Sequence, residues 1–229
     1  MKKYNLKDVL IYLNNIINRT NYDILDNFQS KRRITSLLKK ACKITKLSIS
    51  ELLARICFKP NSSNIEDFEA FLAELRAIFW LKNFGFSNII PIEPRKKFPQ
   101  PDFLANYKGK KSAIEVFCLT KTHEQQKDQT LNVYVNFNPQ FEGSKFGRDF
   151  ISKAQEKILQ LDNVNTDIKI LLCVVNSEPM ICLNDKDKWD KNAEYLFKRL
   201  NLESNYYIGI LTGAVVNGEL TDTIYPKIK

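Results

Sequence analysis

The first sixty residues carry apolar side chains in steps of three and four. Leu6, Val9, Leu10, Leu13, Ile16 and Ile17 fall on one side of a 3.6-residue period, so residues 6–18 read as an amphipathic helix. Residues 31–43 repeat the pattern with Ile34, Leu37, Leu38 and Ala41. Ser48-Ile49-Ser50-Glu51 is then a Ser-x-x-Glu capping box that opens a third helix through Ile56. The pattern predicts a small all-helical module over residues 1–60. Its last two helices, joined by a turn at residues 44–47, have the layout of a helix-turn-helix, which any two short helices joined by a turn share.

The polar stretch KPNSSN, residues 59–64, reads as a linker. Beyond it Asn64 is placed to cap a long helix from 65 to 84, with Phe68, Phe71, Leu72, Leu75, Ile78, Phe79 and Leu81 and a stop at Gly85. Residues 86–92 read as a strand. Residues 102–107 and 112–119 read as a hairpin about Lys108-Gly109-Lys110. The chain from 120 to 146 is polar, except for LNVYVNF, which alternates like an edge strand. A helix (147–161), a strand (167–175), a helix (187–200), a strand (205–215) and a terminal TDTIYP follow. This order predicts, for residues 61–229, an α/β domain with a mixed central sheet flanked by helices.

With 44% hydrophobic and 27% charged residues in 229, the chain fits a globular protein with one good core. No apolar run approaches the roughly 18 residues of a membrane span, and Met1-Lys2-Lys3-Tyr4 leads into a polar amphipathic stretch. A soluble, cytoplasmic protein with no membrane partner is expected. Cys42, Cys57, Cys118, Cys173 and Cys182 stand singly, without CxxC spacing, which predicts buried free thiols. A single histidine, His123, argues against a histidine metal site or a Ser-His triad.

Charge sharpens the picture. Residues 1–60 hold 13 Lys/Arg against 4 Asp/Glu, whereas residues 61–229 hold 22 of each, so the whole net charge of +9 is N-terminal. Such a concentrated basic field favours a polyanion. Nucleic acid fits better than an anionic membrane, because no helix combines a basic face with Trp or Phe anchors. Lys31, Arg32, Arg33, Lys39 and Lys40 are candidate phosphate contacts, as are Arg95, Lys96 and Lys97, with a solvated basic face as the plain alternative.

Glu115 stands inside the apolar run Ala113 to Phe117, and a buried carboxylate is costly without a partner or a metal. With Asn106 facing Ser112 across the hairpin, Asp102 would face Val116, one position from Glu115. Two hard oxygen ligands at that point suit Mg²⁺.

FEAFLAELRAIFWLKNFGFSNI, PDF and AIEVF together resemble the core of the PD-(D/E)xK nuclease superfamily, with its restriction-endonuclease-like fold, over residues 65 to 175. The resemblance implies hydrolysis of phosphodiester bonds, in DNA first of all, at a Mg²⁺ site where Mn²⁺ substitutes. It implies Asp102 and Glu115 as metal ligands and Glu74, the acidic residue of the preceding helix, as a further metal ligand, bound directly or through water. The motif lysine would stand at 117, where this chain has Phe117. In some members that lysine lies on the next helix, and Lys153 and Lys157, four residues apart on one helix face, are the candidates here. The alternative is a nuclease-fold protein that lost catalysis and serves as a nucleic-acid-binding or scaffolding module. By analogy with nucleases that cut both strands, a homodimer is expected.

Overall fold

The computed structural model describes residues 3–20, 28–62, 64–94, 99–118, 145–174, 186–212 and 221–228. Their element order is α1 (Leu6–Thr20), α2 (Phe28–Thr45), α3 (Ile49–Arg55), α4 (Ile65–Asn83), β1 (Ser87–Pro91), β2 (Phe103–Tyr107), β3 (Lys110–Cys118), α5 (Lys145–Asp162), β4 (Ile168–Val174), α6 (Lys186–Arg199), β5 (Tyr206–Thr212) and β6 (Thr221–Tyr225). The LNVYVNF segment, His123, Cys182 and the Arg95 to Lys97 cluster lie outside the described residues. Among the described residues no helix is long and apolar enough to cross a membrane.

The fold is mixed α/β. One six-stranded sheet runs in chain order from β1 to β6, with β3, β4 and β5 parallel and the outer pairs antiparallel. Strand alternation sorts its side chains to two faces. Ile114, Val116, Ile170 and Leu172 join a core with α1 to α4, whereas Ala113, Phe117, Leu171 and Cys173 join a second core with α5 and α6. Trp80 is buried in the first core and Trp189 in the second.

Helix ends follow the local sequence. Ser48 and Glu51 close the capping box on α3, and the Asn64 side chain accepts from the Glu66 N–H at 3.0 Å to open α4. Gly85 follows α4 at φ +88°, a left-handed conformation that suits glycine. The helices of residues 1–60 share the first core: Val9, Tyr12, Ile34 and Leu38 belong to the same cluster as Phe68, Phe71 and Ile114. Phe58 joins the two sets, with its ring 5.3 Å from Tyr12 and 5.5 Å from Phe71.

The hairpin register differs by one residue from the sequence expectation. Lys108 and Gly109 both have positive φ, +48° and +83°, which is a two-residue turn of the type I′ kind rather than a three-residue one. Tyr107 therefore pairs with Lys110, and Ala105, not Asn106, faces Ser112.

Candidate active site

That one-residue correction matters at the far end of the hairpin. Phe103 pairs with Ile114, so Asp102 falls beside Glu115 rather than opposite Val116. Two backbone bonds fix Asp102 there: its Oδ2 accepts from the Val116 N–H at 2.8 Å, and its carbonyl accepts from the Ile92 N–H at 2.8 Å. Asp102 is half-buried, whereas Glu115, on a central strand between β2 and β4, is fully buried.

Glu115 shares its strand face with Ala113 and Phe117, the face that α5 covers. From α5 the Lys157 ammonium reaches down and meets Glu115 Oε1 at 2.5 Å. Lys153 does not join it: that side chain is exposed, and its charge is felt at Cys173 instead. Phe117, at the motif's lysine position, packs into the core beneath α5 with Ala154 and Leu171.

Glu74 enters from α4. Its helix is apolar around most of its circumference, so a mid-helix carboxylate is covered, and Glu74 is 7% exposed. Its Oε2 accepts from the Cys57 N–H at 3.1 Å, and Cys57 belongs to the chain just after α3. Sequence reasoning missed Glu69, one turn and a residue earlier, which is also buried and accepts from the Cys118 thiol at 3.8 Å. The all-round apolar character of α4 was the signal that any acid within it would be enclosed.

Electrostatics bind these groups into one unit. Burial pushes Glu115 up to about 9, the Asp102 charge adds to this, and Lys157 pulls the other way. Burial likewise raises Glu74 to about 8, reinforced by Asp102 and opposed by its hydrogen bonds from Cys57. Asp102 is raised by burial in spite of Lys157, the Val116 N–H and Glu115. Burial works to lower the Lys157 pKa, but Glu115, Asp102 and Glu74 outweigh it and hold the ammonium above its usual range. One cation thus faces three carboxyls that resist full ionisation together.

Glu115 Oε2 is buried without a hydrogen-bond partner, an acceptor left open beside Asp102. Such an orphaned oxygen fits a cation-binding role. Among the described residues no three His, Cys, Asp or Glu side chains converge closely enough to hold an ion alone. An ion here would therefore rest on two carboxylates and complete its shell with water and phosphate, the habit of Mg²⁺, with Glu74 placed to act through water.

Of the basic residues, Arg32, Lys39 and Lys40 are exposed on α2, while Lys31 and Arg33 are half-buried. Arg95, Lys96 and Lys97 lie outside the described residues. Compared with models of known protein families the chain matches none, and no curated protein matches it significantly in sequence.

Proposed function

We propose that this protein is a Mg²⁺-dependent nuclease of the PD-(D/E)xK kind that hydrolyses phosphodiester bonds in DNA. One observation carries the reading: a lysine from α5, Lys157, stands 2.5 Å from Glu115, and the Asp102 charge acts on both. That supplies, from a neighbouring helix, the cation that Phe117 denies to the motif's own position.

In this reading Asp102 and Glu115 would hold the divalent ion, with Glu74 assisting directly or through water. When bound, the ion supplies acidity to a water molecule and neutralises charge on the phosphate. Lys157 opposes the burial that disfavours the Glu115 carboxylate, easing its ionisation when an ion binds, and presents a positive charge where negative charge grows on the phosphate oxygens. The N-terminal basic residues add backbone affinity that is independent of sequence and sensitive to salt.

The test is cleavage of labelled plasmid and oligonucleotide DNA in Mg²⁺ or Mn²⁺, with gel-shift binding measured alongside. Asp102→Ala and Glu115→Ala should abolish cutting and leave binding intact. Lys157→Met should slow cutting by about 10²- to 10³-fold, the scale of one lost charge-stabilising donor. Binding by all four proteins with no metal-dependent cutting of any substrate would sink the enzyme reading in favour of a binding module.

A further inference from the structure

A second concave site lies at the other end of the β1–β2 hairpin from the carboxylates. It has a volume of about 750 Å³ and is walled by the end of α2, by β1 and β2, by the start of β3 and by the turn before β4. That is within the size range of small-molecule and nucleotide pockets. Its floor is apolar, with Leu104 and Ile90, the latter 45% exposed. Asn88 and Asn106 bring amides able to read the edge of a base, and Lys46 and Lys111 bring exposed cations.

Two features tie this site to a nucleic-acid strand. The first is the outer face of α2, a helix without a single Asp or Glu. Its exposed positions Arg32, Lys39, Lys40 and Lys43 continue to Lys46, so a line of cations ends at the cavity. The second is distance from the carboxylates. Asp102, Leu104 and Asn106 alternate onto one face of the same strand. At ~3.3 Å per residue, Asn106 is roughly 13 Å from Asp102. That is the length of about four stacked nucleotides at ~3.4 Å each.

We propose that this cavity seats an unpaired nucleotide of a nucleic-acid strand whose backbone follows the basic face of α2. Calling that strand the substrate rests on the nuclease reading; the cavity itself does not. Base pairing would hide the edge that Asn88 and Asn106 face, so the site selects for single-stranded, frayed or flipped nucleotides over intact duplex.

The experiment is fluorescence anisotropy of the full chain without divalent metal, using a labelled single-stranded DNA oligonucleotide and the blunt duplex of the same sequence. Asn106→Trp fills the cavity, and Lys111→Glu reverses a charge at an exposed position, so that a folding defect in the first leaves the second informative. Each should weaken single-strand binding about tenfold, and Asn106→Trp should leave duplex binding nearly unchanged. Single-strand binding that is absent, or that Lys111→Glu and a folded Asn106→Trp leave unchanged, overturns the proposal. Cavity-dependent binding by a wild type that cuts nothing in Mg²⁺ would sink the nuclease reading alone and leave the cavity's role standing.

Discussion

Glu115 is fully buried, with one oxygen held by Lys157 and the other left open, and that burial governs its behaviour with pH. An unfolded chain releases the Glu115 and Glu74 protons near 4.5, whereas the folded, metal-free protein holds them to about 9 and about 8. Raised acid pKa values mean that the folded state binds more protons. Their stabilising contribution is therefore full below 4.5 and is lost as pH rises through 8 to 9. The metal-free protein should melt lower at pH 9 than at pH 6, by at least about 3 °C for a chain of this size. Glu115→Gln should flatten that slope, and a wild-type slope no steeper than the variant's would show that Glu115 does not carry the proton. The burial of Glu115 was legible in the sequence, because an acid inside an apolar run has few explanations, whereas Asp102 was placed by the hairpin register and fell one residue from its expected partner. The choice between Lys153 and Lys157 was not. Four residues move a helix position one turn along the axis and only about 40° around it, so which ammonium meets the sheet depends on where α5 is seated. That seat is set by Ala154 and Leu161 against β3 and β4, a tertiary fact with no local signature.

At the scale of elements, helices and strands followed from periodicity and caps, while register did not. The Lys-Gly-Lys turn admits two- and three-residue loops, and only the paired positive φ values of Lys108 and Gly109 select the shorter. A Cβ on Gly109 would meet nothing within 4 Å, so Gly109→Ala should cost only its backbone strain, about 1 kcal/mol in urea unfolding. Gly209 on β5 is the opposite case, with ordinary backbone and no room. A Cβ there would lie 2.8 Å from Leu172 Cδ1 and 3.1 Å from the Trp80 ring, both fully buried. Gly209→Ala should cost about 1–3 kcal/mol by overpacking. A neutral Gly209→Ala would mean that Trp80 of α4 does not rest on β5. Nothing in the sequence marked Gly209 as a contact, because the residue it receives lies far along the chain.

At the scale of the whole molecule, charge and packing divide the chain differently. The excess charge ends at residue 60, which suggested an appended module, yet the apolar core crosses that boundary without a break. Tyr12, Phe58, Phe68 and Phe71 form one aromatic group drawn from α1, the chain after α3, and α4. Removing residues 1–60 would uncover Phe68 and Phe71, both fully buried, and leave the outer apolar face of α4 open to water. The N-terminal helices and the sheet should then unfold together. The two tryptophans make this measurable, because Trp80 sits in the core beneath the N-terminal helices and Trp189 in the core on the opposite face of the sheet. In Trp80→Phe and Trp189→Phe backgrounds, urea transitions followed by the remaining tryptophan should coincide. Leu38→Ala, a cavity in α2, should lower both midpoints alike, at a cost of about 2–5 kcal/mol. Transitions that separate, or a Leu38→Ala effect confined to the Trp80 signal, would instead establish a helical unit that melts on its own and can be detached from the sheet.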